Sequence, residues 1–114
     1  REAGKAGPYR TVNHITEPMF IVVLTYLKPL ETVDEHLEDH RSYLKRLYAA
    51  KHLVCSGPLD PRTGGVLLVR DMSREALDAL IDEDPFHRAG VARYEILSFR
   101  PTGYDPSFAN FVGR

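Results

Sequence analysis

The sequence predicts an α+β fold of the ferredoxin-like class, a β-α-β-β-α-β sandwich with two helices on one face of an antiparallel sheet. Stretches with helical spacing and stretches of apolar, β-branched residues occur along the chain in this order. A dense turn signal at residues 60–65 joins the two middle strands into a hairpin. The length of 114 residues, with 43% hydrophobic and 27% charged residues, allows one globular domain.

The first strand and the first helix follow from local patterns. Residues 20–27 are β-branched and aromatic without polar alternation, which is typical of a central strand. Thr32 with Glu35 three residues later matches a capping box, which predicts a helix from Val33 to about Ala50. The apolar residues of this helix recur at helical spacing, and they are Val33, Leu37, Leu44, Leu47 and Tyr48.

A hairpin is predicted next. Residues 53–56 form a short strand that Gly57 and Pro58 end, and residues 66–70 pair back with it after the turn at 60–65.

The second helix and the last strand complete the pattern. Ser73 is a natural N-cap, and the helix should end near Glu83 because Asp84 precedes Pro85, and a residue before proline disfavours helical dihedral angles. Residues 91–99 are predicted as the last strand. The apolar residues of the second helix are Ala76, Leu77, Leu80 and Ile81.

The two ends of the chain differ from its centre. Residues 1–18 hold prolines, glycines and scattered charges, and we interpret them as an N-terminal extension that cloning could have added in part, with Met19 as the expected native start. The domain is expected at residues 19–100, followed by a C-terminal tail at 101–114 that lies over an apolar surface. A core of about 80 residues is marginal alone. We therefore expect a homodimer through the uncovered sheet face, or a higher oligomer.

Composition excludes several functional classes. The net charge of -1 lacks the basic footprint of a nucleic-acid-binding protein, so no nucleic-acid partner is expected. The longest apolar run, residues 19–24, is far shorter than the roughly 20 residues that span a bilayer. No signal-peptide pattern is visible, so we expect a cytoplasmic protein without a membrane partner. A single cysteine, Cys55, excludes an intrachain disulfide and a cysteine-rich zinc site.

His40 is the first candidate for chemistry. Leu37 and Leu44 flank it on the helical wheel, so its imidazole lies within the apolar stripe. An unpaired buried polar group costs roughly 1–3 kcal/mol, so the ring needs a partner. Histidine is also the usual general acid or base near neutral pH. Periodicity alone favours the alternative, a core histidine bonded to a backbone carbonyl.

Asp84 is the second candidate. On the wheel of the second helix it falls between Leu80 and Ile81, on the side that should face the sheet. A carboxylate there would orient an imidazole and stabilise its charged form. Spacing alone favours the alternative, in which Asp84 and Pro85 end the helix and the carboxylate faces solvent.

A metal site is not expected. His36 and His40 are four residues apart, but Leu37 and Asp39 occupy the positions where zinc-protease motifs require glutamate. A haem with His40 as axial ligand has no other supporting feature, so we expect no cofactor.

The remaining candidates lie near turns. Cys55 could act as a nucleophile, but we expect a buried, inert thiol within an apolar strand. Ser56 and the Gly57 amide lie at a strand end, where they could hold polar groups of a ligand or simply form a turn. His52 and His87 are expected at the surface.

Six short stretches of this sequence, in this order and at these separations, resemble the YCII-related (YciI-like) family over roughly residues 19–100. None is specific alone, whereas the ordered set is. They are Met19-Phe-Ile-Val-Val-Leu-Thr-Tyr, His40-Arg-Ser-Tyr-Leu, Ser56-Gly-Pro, Ala76-Leu, Asp84-Pro-Phe and Ala89-Gly-Val.

The resemblance implies a dimeric α/β barrel, formed by two ferredoxin-like units joined through their sheets. It also implies a pocket with a His–Asp pair, carried here by His40 and Asp84. Many family members have an arginine three residues before that histidine, where this chain has Leu37, and His36 is the expected substitute in substrate binding. The family includes a dehydrochlorinase of chlorinated hydroxyquinols and is similar in fold to muconolactone isomerases.

We therefore expect a small-molecule enzyme of the isomerase, lyase or dehydrochlorinase type that acts on a compact cyclic or aromatic substrate. His40 would move the proton and Asp84 would fix the imidazole tautomer. Phe86 would form a pocket wall, while Ser56 and the Gly57 amide would position polar groups. The alternative is a non-catalytic dimer that binds a metabolite or docks a partner, with the pair as a structural hydrogen bond.

Overall fold

A four-stranded antiparallel sheet forms the centre of the computed structural model, which describes residues 10–11 and 17–112. The strands are β1 (Met19–Tyr26), β2 (Leu53–Pro58), β3 (Gly64–Val69) and β4 (Ala92–Phe99). Their order across the sheet is β2-β3-β1-β4, and each neighbouring pair is antiparallel. This is the order of a ferredoxin-like sandwich, so the predicted fold class is confirmed.

The helices cover one face of this sheet. They are α1 (Leu30–Asp34), α2 (Leu37–Ala49), α3 (Arg74–Asp82) and α4 (Pro85–Arg88). The core lies between them and the sheet, and burial of each large apolar side chain there contributes about 1.5–3 kcal/mol. Its main members are Phe20, Val22, Leu24, Val33, Tyr43, Leu47, Leu67, Val69, Leu77, Ile81 and Phe86.

The first predicted helix is divided in two, and the capping-box prediction at Thr32 is wrong. Pro29 is the N-cap of α1, and its carbonyl accepts hydrogen bonds from the backbone N–H groups of Thr32 and Val33. The helix therefore begins before Thr32. A tighter turn follows, in which the N–H of His36 bonds to the carbonyl of Val33, and α2 begins only at Leu37.

The second helix agrees with its predicted caps. The Ser73 side chain accepts a hydrogen bond from the Ala76 N–H, and Glu83 is the C-cap of α3. Asp84 then begins α4, because its carboxylate accepts a hydrogen bond from the Phe86 N–H while Pro85 occupies the first turn. The same residue that ends one helix thus caps the next, and its side chain points into the protein rather than into solvent.

The other face of the sheet is partly exposed and has an apolar patch at one end, while Arg93 and Glu95 lie on the same face further along β4. Ile21 pairs with both Leu68 and Leu97 across the sheet, and Met19 pairs with Phe99. Leu97 is 48% exposed and Phe99 is 39% exposed. We call this the open face. Cys55 pairs with Leu68 and is exposed. The prediction of a buried thiol is wrong, because an irregularity in the pairing of β2 with β3 between Leu53 and Cys55 places Cys55 on the open face, while Leu53 is buried on the other.

The C-terminal tail returns along the sheet. Gly103–Tyr104 pairs with Arg10–Thr11, and a 3₁₀ helix follows at Pro106–Phe111. Phe108 lines a hollow of about 270 Å³ together with Leu68 and Phe99, so an aromatic residue of the tail lies against the open face. In the part of the chain that the structure describes, no helix is long and apolar enough to cross a membrane.

Candidate active site

A cavity of about 330 Å³ lies between α2 and the sheet. Small residues of the sheet leave this space, since Ser56, Gly57 and Gly65 all line it. Gly65 pairs with Leu24, a core residue, so its position belongs to the face that the helices cover. A Cβ atom at Gly65 would come within 3.1 Å of the Gly57 carbonyl oxygen, which is closer than an ordinary contact. The close approach of the Gly57 backbone thus favours glycine at position 65.

His40 enters the cavity from α2. Leu37 and Leu44 line the cavity beside it, as expected for residues at helical spacing. The Nδ1 atom of His40 lies 2.8 Å from the Oδ1 atom of Asp84. Its ring stacks on that of Phe86, with 3.9 Å between centroids and an angle of 3° between the planes. The Nε2 atom forms no hydrogen bond with any described residue, so it is free to meet a ligand.

Asp84 lies behind the histidine and is 0% exposed. Its Oδ1 atom accepts hydrogen bonds from His40 and from the Phe86 N–H, the latter at 3.0 Å, and its Oδ2 atom accepts one from the Tyr94 hydroxyl at 2.6 Å. An ionised carboxylate only accepts hydrogen bonds, so each partner donates. With Asp84 ionised and His40 neutral, this hydrogen bond requires the ring proton on Nδ1, which leaves on Nε2 the lone pair that a general base needs.

Two tyrosines support this network, and neither was identified from the sequence. Tyr94 on β4 donates to Asp84, and Tyr43 on α2 donates to the Leu80 carbonyl at 2.6 Å. Burial, and secondly the negative charge of Asp84, raise the pKa of both hydroxyls above the ordinary range. Both remain protonated donors at neutral pH. Tyr94 pairs with Leu24 across the sheet, a register that one sequence does not reveal.

Two arginines also line the cavity, and sequence analysis missed both. Arg41 follows His40 on α2, and Arg62 lies in the turn between β2 and β3. Arg62 donates a hydrogen bond to the Oδ1 atom of Asp34 at 2.6 Å, and this bond lowers the pKa of Asp34. The Arg62 guanidinium also lies 5.5 Å from the centroid of the Tyr26 ring. The turn composition indicated a hairpin, but not which of its side chains reaches the cavity.

The remaining predicted site residues separate into two groups. Ser56, Gly57 and Phe86 line the cavity with His40, and the Ser56 Oγ atom lies 2.6 Å from the Tyr48 hydroxyl oxygen. His36 is not among the described residues that line the cavity, and it forms the N-cap of α2.

The described residues contain no cluster of side chains suited to metal binding. Among the described residues, no group of three or more histidine, cysteine, aspartate or glutamate side chains could hold a metal ion.

Comparisons with known proteins concern the family and the fold of this chain. A sequence profile of the YCII-related domain matches residues 19–100. A search of curated proteins gave no match. Among solved structures, the chain is similar to 5-chloro-2-hydroxyhydroquinone dehydrochlorinase from Burkholderia phenoliruptrix, determined in complex with 2,5-dihydroxybenzoquinone. The identity is 21%, the TM-score is 0.63, and the alignment covers 72% of this chain and 93% of that chain. At this identity the likeness shows a shared fold.

Proposed function

We propose that this chain, which belongs to the YCII-related domain family, is a small-molecule enzyme in which His40 and Asp84 form an acid–base pair. The observation that carries the proposal is the asymmetry of the pair. Asp84 is sealed from solvent behind the histidine, while the imidazole lines a cavity with an unbonded Nε2 atom. A structural hydrogen bond in a packed core needs no such opening.

Proton transfer through Nε2 is the chemistry that this geometry supports. In an elimination, Nε2 would take a proton from one substrate atom, the electrons of that bond would form a double bond, and the leaving group would depart with its own electron pair. In an isomerisation, the same proton would return to a different atom. Asp84 would stabilise the imidazolium formed in between. Neither reaction requires a metal or a redox cofactor.

A compact ring is the substrate class that we propose. The cavity volume lies near the lower end of the range of about 300–1,000 Å³ for small-molecule sites. Phe86 and Tyr26 provide aromatic walls, with their rings in an edge-to-face contact at 6.1 Å. The dehydrochlorinase with the similar fold was determined with a quinone ring bound. We therefore place lactones and halogenated hydroxyquinols first among compounds to test.

We further propose that the protein is a homodimer through the open face. Leu97 and Phe99 are large apolar side chains that remain substantially exposed there. A second copy would remove this apolar surface from water, which the C-terminal tail covers only in part. Dimerisation would enlarge the core of a small domain without adding chain length.

The test is turnover by wild type and by His40→Gln in a screen of these ring compounds. His52→Gln is the control, since His52 does not line the cavity. The proposal expects activity in wild type and in the control, and at least about a 100-fold loss in His40→Gln. Thermal unfolding of each variant shows whether it is folded. Equal turnover by folded His40→Gln and wild type would refute the proposal.

A further inference from the structure

The lining of the cavity carries positive charge. Arg41 and Arg62 are both lining residues, the Arg62 guanidinium lies over the ring of the lining residue Tyr26, and no aspartate or glutamate lies among the described residues that line the cavity. Arginine keeps its charge at any physiological pH. We infer that the substrate of the proposed enzyme is a ring compound with a negatively charged oxygen group, either a carboxylate or a phenolate, and that Arg62 and Arg41 bind this group.

Arg62 is held in place before a ligand arrives. Its NH2 group bonds to Asp34, and its guanidinium lies over the ring of Tyr26. Such cation–π contact and ion pairing restrict a long side chain that would otherwise lose conformational entropy on binding. Asp34 does not line the cavity, and the hydrogen bonds of Arg62 to Asp34 and to the Tyr26 hydroxyl use only part of the five N–H donors of the guanidinium. The ion pair therefore positions Arg62 without occupying it.

Aromatic rings connect this charge to the proposed base. The His40 ring stacks on Phe86, Phe86 meets the edge of Tyr26, and Arg62 lies over Tyr26. A planar ring against this wall would have its anionic oxygens near a guanidinium, where arginine forms paired, charge-assisted hydrogen bonds. The opposite part of the ring would lie toward His40. The charge thus selects the orientation of the substrate as well as its class.

The arginines that line the cavity lie at other positions than the resemblance to the YCII-related family implies. Leu37 stands at the position where many relatives have an arginine, and His36 does not line the cavity. The guanidinium of Arg62 comes instead from the turn after β2, and Arg41, the residue after the histidine, also lines the cavity. This inference rests on the proposed function, since it takes the cavity around His40 as the substrate site.

Binding of two probes of nearly the same shape, one anionic and one neutral, tests the inference. We would titrate 4-hydroxybenzoate and its neutral analogue 4-hydroxybenzamide into the protein at low ionic strength and follow backbone amide signals by NMR up to millimolar concentrations. The variants are Arg62→Gln and Arg41→Gln. The control is Arg46→Gln, which removes an exposed arginine of α2 that does not line the cavity.

In wild type and in the control, the benzoate should bind at least about ten-fold more tightly than the amide, the factor expected for one charge-assisted hydrogen bond. Arg62→Gln should remove most of this preference and leave the affinity for the amide unchanged, and Arg41→Gln should reduce it. Equal affinities for both probes in wild type would overturn the inference. So would an absence of benzoate binding, or an equal loss in Arg62→Gln and Arg46→Gln.

The outcome is separable from that of the proposed function, because the probes are bound and not turned over. A charge preference in wild type, together with full turnover by folded His40→Gln, would refute the acid–base pair alone. An inactive His40→Gln without any charge preference in wild type would refute the anion site alone.

Discussion

Replacement of Asp84 by alanine should destabilise the protein strongly, for a reason that the hydrogen bonds specify. The carboxylate accepts from His40, from the Phe86 N–H and from the Tyr94 hydroxyl. In Asp84→Ala all three donors lose their acceptor in an environment that excludes water, since Asp84 is 0% exposed. A donor left unpaired in the interior costs about 1–3 kcal/mol.

The magnitude follows from how well each donor can recover. The Phe86 N–H belongs to a buried residue, where water cannot readily replace the lost acceptor, so it should carry its full cost. Tyr94 is half-buried and His40 borders a cavity, so water can satisfy each of them in part. We therefore expect a loss of roughly 3–5 kcal/mol in the free energy of unfolding, below the simple sum of three full penalties.

The variant Asp84→Asn tests whether the lost hydrogen-bond acceptor, rather than the smaller side chain, causes the destabilisation. The amide oxygen can accept from His40 and Phe86, while the amide nitrogen donates to the Tyr94 oxygen after its hydroxyl turns. We expect a loss of only about 1 kcal/mol. Asp78→Ala is the surface control. Its salt bridge with Arg74 is exposed at both ends and should contribute less than about 1 kcal/mol.

The assay is equilibrium urea unfolding of the four proteins at neutral pH, with the slopes compared to confirm that each unfolds in the same manner. The reasoning would be refuted if Asp84→Ala cost no more than Asp78→Ala. It would also be refuted if the alanine and asparagine variants were equally destabilised, because the hydrogen-bond acceptor would then not be the cause.

Two further predictions concern alkaline pH and assembly. The folded-state pKa values of Tyr43 and Tyr94 are raised above the ordinary value of 10.0, so their contribution to stability is complete below pH 10 and is lost as the pH rises above it. Urea unfolding from pH 9 to 11.5 should show this fall in the free energy of unfolding of wild type. The fall should be smaller in Tyr94→Phe, and the same pH dependence in both proteins would contradict the assignment. Sedimentation velocity of wild type should give twice the 12.9 kDa protomer mass, with dissociation in Leu97→Lys on the open face but not in the control Leu30→Lys on α1. A monomeric wild type would refute the proposed dimer.

Local patterns predicted the order of strands and helices along the chain, whereas spacing alone favoured an Asp84 carboxylate in solvent, and the structure buries it. Helical spacing also predicted that His40 shares a face with Leu37 and Leu44, and all three line the cavity. These features depend on residues close together in sequence, where periodicity and capping chemistry act. The residue before proline then proved to be an N-cap as well as a helix stop.

Features that depend on distant residues were not predictable in this way. Tyr94 reaches Asp84 because β4 pairs with β1 in one register, and Arg62 reaches the cavity because its turn lies against α1. Cys55 turns outward because of an irregularity in the pairing of β2 with β3 near Leu53. The positions of Tyr94 and Cys55 are set by strand register, since a shift of one residue exchanges the two faces of a strand, whereas that of Arg62 is set by the contact of its turn with α1.

The most direct test of the acid–base pair is a comparison of steady-state turnover between wild type and His40→Gln on a lactone or hydroxyquinol that wild type converts. Both proteins should be folded, as shown by their thermal unfolding. We predict that His40→Gln loses at least about 100-fold in kcat/KM, because glutamine lacks the ring nitrogen that is proposed to move the proton. Turnover in a folded His40→Gln equal to that of wild type would contradict the account.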